Sequence, residues 1–272
     1  MPIFFFRNDD VNILDQELVE VTRRCTEQGV PISHAVEPAN VTDEAVAWLR
    51  EEKAKDPRLI EITQHGYDHE LRDRGEFGGD RSFEDALADL QRGRDILLEK
   101  FDGDFLSALN FPFGIYNQNA MKAADAAGFR IICSHFNARK SRRAMYTAGR
   151  ALRMGQILGK HISYNLDFYP RTGMFAVDVS ISFIDRYIGP HGSNTCTFHS
   201  LDEIKRRVEM WMPHTPVIGL LFHHRFHHQP EHMELITDAI NWLKTIEGAE
   251  FLNIGEVYDR FCPNPGNGFR NG

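Results

Sequence analysis

Several features that would assign this chain of 272 residues to a common binding class are missing from it. It has no tract rich in Lys and Arg and its formal net charge is −8, which argues against nucleic acid and anionic membrane surfaces as partners, because both attract basic patches. No segment approaches the roughly 18 uninterrupted apolar residues of a membrane span. The opening "MPIFFFRNDD" is too short and is charged too early for a signal peptide. We therefore expect a cytoplasmic chain that takes a neutral or cationic small molecule or a glycan.

Cysteine pairs and the common catalytic fingerprints are missing as well. The chain has no CxxC pair, and we expect free thiols at its four scattered cysteines, Cys25, Cys133, Cys196 and Cys262. It also has no GxSxG, no P-loop and no GxGxxG motif. Serine-hydrolase, nucleotide-binding and dinucleotide-binding interpretations therefore find no support.

What the sequence does contain is a regular alternation of short apolar runs with amphipathic helical patterns. "PIFFFRND", "PISHAVEP" and "RLIEITQHG" are typical of strands, and helical patterns separate them. The alternation continues through "MFAVDVSISFI" and "PVIGLLFHH" to "AEFLNIGEV", which gives about eight strand-like segments. This order predicts one parallel-stranded α/β domain over residues 1–262, either a barrel or a doubly wound sheet, followed by a flexible tail over residues 263–272. Residues 137–172 have weak periodicity and give no clear element.

The first strand ends on two adjacent carboxylates, Asp9 and Asp10. In parallel α/β folds the chemistry collects at the carboxyl ends of the strands, so this pair marks a candidate site. Two neighbouring buried negative charges call for a cation, and a metal ion would supply it. Because side chains alternate along a strand, both carboxylates can reach one site only where the backbone turns. A solvated turn is the alternative interpretation.

The third strand is followed by "HGYDH". His65 and His69 have the i, i+4 spacing that places two imidazoles on one helical face, close enough to chelate one ion. Thirteen histidines make such spacing a weak signal by itself, but the position directly after a strand strengthens it. Gly66 also permits a tight turn there. An aspartate and two histidines with an open position suit Zn²⁺ or a similar ion that acts as a Lewis acid.

Two later strand ends complete the set. "NFPFG" predicts a Pro/Gly turn, which could aim the N–H of Phe113 into the site as an oxyanion donor. "HHRFHH" follows the strand "VIGLLF", and one of its histidines would point into the mouth as a general acid. We favour His223, with His224 as the competitor, because strand alternation sends only one of them inward. The rival interpretation is a second metal site built from His223, His224, His227 and His228.

Together the four strand ends resemble the motifs of the NodB-homology polysaccharide deacetylases, carbohydrate esterase family four. In that family the first strand ends in a "TFDDG"-type motif and the third in H-x-x-x-H; here these are "RNDDV" and "HGYDH". An "RPPYG"-type turn and a late "LxLH" strand end follow; here these are "NFPFG" and "LLFH". Their order and approximate spacing agree over about residues 3–260.

The resemblance implies a distorted (β/α) barrel of about seven to eight parallel strands that removes N-acetyl groups from an amino sugar or glycan, as in cell-surface polysaccharide metabolism. It further implies one divalent ion, usually Zn²⁺, bound by Asp10, His65 and His69. Asp9 would be the general base toward a metal-bound water, the metal and the N–H of Phe113 would hold the oxyanion, and His223 would protonate the departing amine.

The chain also departs from the family pattern. Arg7 and Asn8 stand where the first motif has threonine and phenylalanine, and Asn110 stands where many members carry the arginine that orients the base. Arg7 precedes Asp9 by two residues and shares its face of the strand. We therefore hypothesise that Arg7 takes over the orienting role. A fourth family motif supplies an aspartate that orients the catalytic histidine, and Asp167 and Asp178 are the candidates for it.

These departures keep two alternatives open. One is a catalytically silent member of the fold that binds glycan or metal, and the other is a different metal-dependent amide hydrolase. A TIM-barrel amidohydrolase or phosphoesterase is disfavoured, because it would open with HxH after the first strand. A cell-surface polysaccharide, a lipid-linked intermediate or a small acetamide would each satisfy the chemistry, and the lack of an export signal favours an intracellular biosynthetic precursor.

Overall fold

The computed structural model describes most of the chain. The described residues are 1–72, 74–135, 148, 151–152, 156–157, 160–161, 165–166, 172–189 and 195–263. The candidate Asp167 and all but the first residue of the expected tail lie outside them. The domain boundary at residue 262 therefore stays a prediction.

The first half of the chain alternates strands and helices as the sequence predicts. Its elements are β1 (Ile3–Val11), α1 (Gln16–Thr26), β2 (Ile32–Val36), α2 (Asp43–Lys55), β3 (Ile60–His65), α3 (Phe83–Lys100), β4 (Ala108–Asn110), a 3₁₀ turn (Pro112–Gly114), α4 (Gln118–Ala126) and β5 (Ile131–Cys133).

The second half has shorter strands. Its elements are β6 (Gln156–Ile157), β7 (Lys160–His161), β8 (Phe175–Ala176), β9 (Val179–Ser182), β10 (Ile184–Tyr187), β11 (Cys196–Phe198), α5 (Leu201–Trp211), β12 (Val217–Phe222), a 3₁₀ turn (His224–Phe226), α6 (Pro230–Lys244), β13 (Glu250–Phe251) and α7 (Ile254–Phe261).

One large sheet carries the fold. Its strand order is β8-β5-β4-β3-β2-β1-β12-β9, and β13 adds to β1. Every pairing in this sheet is parallel. The strands form a half-barrel with flanking helices, which confirms the distorted (β/α) barrel. Because the strands are parallel, their carboxyl ends share one edge, where the four sequence motifs meet.

The two faces of β1 belong to different cores. Phe4 and Phe6 pack in the larger apolar cluster, which contains residues of the helices. Ile3 and Phe5 belong to a second cluster, together with buried residues of β4, β5, β9 and β12. Since side chains alternate along a strand, Arg7 continues the face of Ile3 and Phe5.

Side-chain caps fix where the helices begin. Asp15, Thr42 and Ser82 accept hydrogen bonds from backbone N–H groups three residues ahead, at the starts of α1, α2 and α3. Asn117 and Ser200 do the same for α4 and α5. Each such cap is worth about 1 kcal/mol of helix stability. The caps thereby set the length of the loops that leave the carboxyl edge of the sheet.

Two predicted strands need correction. The segment "MFAVDVSISFI" divides into β8, β9 and the start of β10, with the buried Asp178 between the first two. In "AEFLNIGEV" only Glu250 and Phe251 are extended. The rest begins α7, because Asn253 and Glu256 form a capping box that starts a helix there. Within the described residues, no helix has the length and apolar character needed to cross a bilayer.

Candidate functional site

The backbone of β1 turns where the two carboxylates lie. Its register against β2 shifts between Asn8 and Val11, and Asp10 has a φ of 62°, a left-handed conformation that is uncommon for a non-glycine residue. The extra residue of such a bulge interrupts the alternation of side chains. Asp9 and Asp10 can therefore both face the same site, as the sequence requires of a metal-binding pair.

Asp10 lies at the centre of a three-residue cluster. Its Oδ1 is 3.1 Å from His65 Nε2 and 3.1 Å from His69 Nε2. The three ligand atoms lie within 4.8 Å of one another, and this is the one such cluster of histidine, cysteine and carboxylate groups in the part of the chain that the structure describes. Burial alone would raise the pKa of Asp10, but the hydrogen bonds from the two imidazoles hold it well below its usual range.

The second nitrogen of His65 is also engaged. Its Nδ1 lies 3.2 Å from the carbonyl oxygen of Asn110, which can only accept. With Nδ1–H donated to that carbonyl, the ring is oriented so that Nε2, which donates to Asp10 in this structure, is the atom that an ion would bind in place of its proton.

His65 and His69 do not share a helical face, which corrects the geometry expected from their spacing. His65 ends β3, and the chain then turns through Gly66 and His69, whose φ angles are both 57°. The buried Glu76 holds this turn by accepting hydrogen bonds from the N–H groups of residues 67–69, at 2.7, 3.2 and 3.2 Å. A turn with two left-handed residues therefore brings the two imidazoles together.

Asp9 is paired with Arg7 inside the barrel. The Nε and Nη2 of Arg7 donate to the two carboxylate oxygens of Asp9 at 2.7 and 2.8 Å, and Nη1 donates to the carbonyl oxygen of Cys133 at 3.3 Å. Both side chains are almost fully buried. Burial would raise the pKa of Asp9, but the Arg7 charge holds it below its ordinary value. Asn110 instead donates to Thr63 Oγ1 and to a backbone carbonyl, so it has no arginine-like contact with Asp9 among the described residues.

The neighbours His223 and His224 face opposite ways. Burial lowers the pKa of His223, and the negative charges of Asp10 and Asp9 oppose that shift, as expected for a ring that faces the site. His224 is buried on the other side, where its backbone N–H and Nδ1 lie 2.9 and 3.2 Å from Asn8 Oδ1. Its position between the strand and α1 is structural.

The remaining histidines of the run do not form a second metal site within the described residues. His227 Nδ1 lies 3.3 Å from the carbonyl oxygen of His232, and His228 Nδ1 lies 2.9 Å from a Glu17 oxygen at the surface. The histidines of the "HHRFHH" segment therefore contact separate partners.

Phe113 borders the cluster. It has a φ of 60° in the 3₁₀ turn after β4, and its ring centroid is 4.5 Å from that of His69. The ring thus limits the position of one candidate ligand, while the use of its N–H toward an oxyanion stays a prediction. Asp178, the described candidate for the fourth motif, accepts a 2.7 Å hydrogen bond from the Ser134 N–H.

The structure adds residues that the sequence interpretation missed. Arg225 Nη1 lies 3.3 Å from Asp10 Oδ2, and Glu37 Oε1 lies 4.0 Å from His69 Nδ1. Tyr187 is 53% exposed, and its ring stands edge-on to that of His223 at 6.1 Å. A sequence signal existed for Glu37, because it lies near the end of the predicted strand "PISHAVEP", as the motif residues lie near the ends of theirs.

The donor set fits a divalent ion of intermediate softness. One carboxylate and two imidazoles are typical ligands of Zn²⁺ in catalytic sites, where three protein ligands leave a coordination position open. An ion would also balance Asp10, whose buried charge is otherwise opposed by imidazoles and by a half-buried Arg225.

Comparison with known proteins agrees with this fold. No protein-family model and no curated protein matches the chain. A protein from Mycobacterium smegmatis named as a polysaccharide deacetylase matches with a TM-score of 0.65 at 13% identity, over 95% of this chain and 89% of that one. The family 4 acetyl xylan esterase from Clostridium thermocellum, solved with a cobalt ion, has a TM-score of 0.54 at 14% identity, over 95% and 91%.

A pseudoenzyme is among the similar structures too. The carbohydrate esterase family four pseudoenzyme from Bacillus anthracis matches with a TM-score of 0.51 at 12% identity, over 94% of this chain and 64% of that one. At these identities the matches show a shared fold. They confirm in structure the resemblance to family four, and they include both active and silent proteins.

Proposed function

We propose that this chain, which has the fold of the family four deacetylases, is a metal-dependent hydrolase that removes N-acetyl groups from an amino sugar or glycan. The observation that carries the proposal is the convergence of Asp10, His65 and His69 at the carboxyl edge of the sheet, with Asp9 beside them. Amide hydrolysis needs an activated nucleophile, a sink for negative charge and an acid for a poor leaving group. The site contains a candidate for each.

The ion would be held by Asp10 Oδ1 and by the Nε2 atoms of His65 and His69. When bound, a divalent ion of this kind supplies Lewis acidity and lowers the pKa of a water molecule. The protein contributes the orientation of the ligands, through Asn110 for His65 and through the Glu76-held turn for His69.

Asp9 is proposed as the general base. The Arg7 fork keeps it ionised and fixes both of its oxygens, so it is ready to take a proton from the attacking water. As that water forms its bond to the carbonyl carbon, the carbonyl oxygen becomes negative, and the Phe113 N–H is the proposed donor to it.

His223 is proposed as the general acid. When the bond between carbon and nitrogen breaks, the nitrogen leaves as an amine and needs a proton, which His223 is positioned to give. Burial lowers its pKa, which makes the imidazolium a stronger acid but leaves less of it protonated at neutral pH, and the charges of Asp10 and Asp9 oppose that shift. His224 is not available for this step because Asn8 holds it on the helix side of the strand.

A carbohydrate substrate is supported by the structural neighbours and by the mouth of the site. The similar protein from Clostridium thermocellum is an acetyl xylan esterase. Tyr187 offers an exposed aromatic face beside His223, and such rings combine an apolar body with a polar tip. The net charge of −8 favours a neutral or cationic glycan. A cytoplasmic location and an intracellular precursor as substrate stay proposals.

The test is acetate release from N-acetylated chitooligosaccharides by the zinc-loaded protein. We expect release by the wild type and a loss of at least about 100-fold in Asp9→Asn, since a positioned base contributes that much. If neither form releases acetate although the wild type binds the oligosaccharide, the catalytically silent alternative is correct. Release that is equal in both forms would contradict the role of Asp9.

A further inference from the structure

Glu37 is a buried carboxylate, and only one of its two oxygens accepts hydrogen bonds from described residues. It directly follows β2 and is only 2% exposed. Its Oε2 accepts hydrogen bonds from Asn12 Nδ2 and Asn40 Nδ2, both at 2.9 Å. Its Oε1 is buried and has no hydrogen-bond partner among the described residues. That oxygen lies 4.0 Å from His69 Nδ1.

An unpartnered buried carboxylate oxygen is costly and calls for an explanation. Leaving a buried charged acceptor unsatisfied costs more than the 1–3 kcal/mol typical of a neutral group, so each such atom in a native structure needs a specific explanation. The backbone of Glu37 is fixed as well, because its N–H donates to the Val11 carbonyl at the end of β1 at 3.0 Å. The carboxylate is therefore held against the site by both the strand and the two asparagines.

The two candidate histidine ligands differ in the contact of their second nitrogen. His65 Nδ1 lies within hydrogen-bond distance of the Asn110 carbonyl oxygen. His69 Nδ1 has Glu37 Oε1 as its nearby acceptor, about 1 Å beyond hydrogen-bond length. A histidine ligand needs an acceptor at this nitrogen to fix its orientation and to keep the lone pair on the other nitrogen.

We propose that Glu37 is the positioning residue of His69. Its Oε1 accepts the Nδ1–H of His69 when Nε2 binds a divalent ion, after a shift of about 1 Å by either side chain. The inference rests on the proposed metal-dependent function. It assigns Glu37 a role in ion affinity that is separate from its contacts with Asn12 and Asn40.

Glu37→Gln tests this role with little change in shape. The two asparagine amides both donate to Oε2, so the glutamine side chain would place its carbonyl oxygen there and turn its NH₂ group toward His69. An NH₂ group facing Nδ1 favours the tautomer with the proton on Nε2, which cannot bind a metal ion. The substitution thus opposes metal binding while it preserves the contacts that hold the loops.

Asn12→Ala is the matched control. It removes one hydrogen bond to Oε2 and leaves Oε1 and His69 unchanged. If Glu37 only held the loops, Asn12→Ala should weaken ion binding more than Glu37→Gln, because Glu37→Gln keeps both asparagine contacts. If Glu37 positions His69, only Glu37→Gln should weaken ion binding.

The experiment is zinc affinity, measured by competition with a fluorescent chelator for the full-length wild type, Glu37→Gln, Asn12→Ala and His69→Ala. We expect Glu37→Gln to bind zinc about 10- to 100-fold more weakly than the wild type, and Asn12→Ala to stay within about twofold. Equal affinity of Glu37→Gln and the wild type would overturn the inference and leave the proposed function standing. A wild type that binds zinc no better than His69→Ala would overturn both.

A second measurement needs no Glu37 variant. In the zinc-loaded wild type, ¹⁵N-edited NMR should show His69 Nδ1–H at low field and slow to exchange with solvent, as expected for a proton that a buried carboxylate accepts. Rapid exchange of this proton would overturn the inference even if Glu37→Gln failed to fold.

Discussion

The pair Asp9 and Asp10 shows how adjacent residues of the same type acquire different surroundings. Arg7 donates hydrogen bonds to both carboxylate oxygens of Asp9, whereas Asp10 faces two imidazoles and the half-buried Arg225. Backbone geometry explains the difference. The bulge at the end of β1 places Asp9 on the face of Arg7 and turns Asp10 toward β3. Adjacent charges are tolerated because each has its own counter-charge.

The Arg7 fork makes a direct prediction. Arg7→Ala should lower kcat by about 100-fold, because Asp9 loses the group that holds its charge and direction. It should also lower the free energy of unfolding by about 3–5 kcal/mol, since a buried carboxylate is left unpaired. The measurements are acetate release under saturating substrate and urea unfolding. Unchanged turnover would mean that Arg7 does not orient Asp9 for catalysis.

A double substitution separates stability from catalysis. Replacing both partners, as Arg7→Met with Asp9→Asn, removes the buried charges together and should recover most of the lost stability. Turnover should not recover, because the base is absent. Recovery of turnover would show that the pair serves folding alone.

The turn of residues 65–69 could be predicted from the sequence only in part. The residues, their position after a strand and the permissive Gly66 were all predictable. The prediction that His65 and His69 share a helical face was wrong, because an i, i+4 spacing fits a turn with left-handed residues equally well. Glu76, which holds the turn, is seven residues beyond His69 and has no local signal, since its role arises only when the chain folds back.

Gly66 tests the importance of this turn. A Cβ at this position would lie 2.4 Å from Glu76 Oε2 and 2.5 Å from Pro112 Cγ, and the φ of 57° is unfavourable for a side chain. Gly66→Ala should therefore destabilise the fold and weaken zinc binding by at least about tenfold, because His69 moves.

Gly29→Ala is the control for backbone strain alone. Gly29 has a similar φ of 67° but open space around it, so its substitution should cost about 1–3 kcal/mol and leave zinc affinity unchanged. Thermal unfolding and chelator competition measure both effects. Equal zinc affinity in the two variants would mean that the turn does not position His69.

The fold as a whole was largely predictable, because buried parallel strands give continuous apolar runs and amphipathic helices separate them. The parallel α/β domain follows from that pattern, and the resemblance of the strand-end motifs to family four implied the half-barrel. The exceptions lie where local chemistry outweighs apolarity. Asn253 and Glu256 convert a strand-like segment into a helix start, and the capping box was present in the sequence. Contacts such as that of Glu37 with His69 depend on tertiary packing and could not be predicted.

Ion binding should also stabilise the molecule. At a free zinc concentration 100 times Kd, binding to the folded state alone adds about 2.7 kcal/mol to the free energy of unfolding. For a chain of this size we expect Tm to rise by roughly 5–10 °C. Mg²⁺ at the same concentration should have a much smaller effect, because imidazole ligands disfavour it. The same rise in His69→Ala would place the stabilising ion elsewhere.

The most direct test of the account is an anomalous difference map at the zinc edge, from crystals of the wild-type protein grown with zinc. We expect one strong peak in contact with Asp10 Oδ1 and the Nε2 atoms of His65 and His69. A peak held only by histidines between residues 223 and 232, or no peak among the three predicted ligands at full zinc loading, would contradict it.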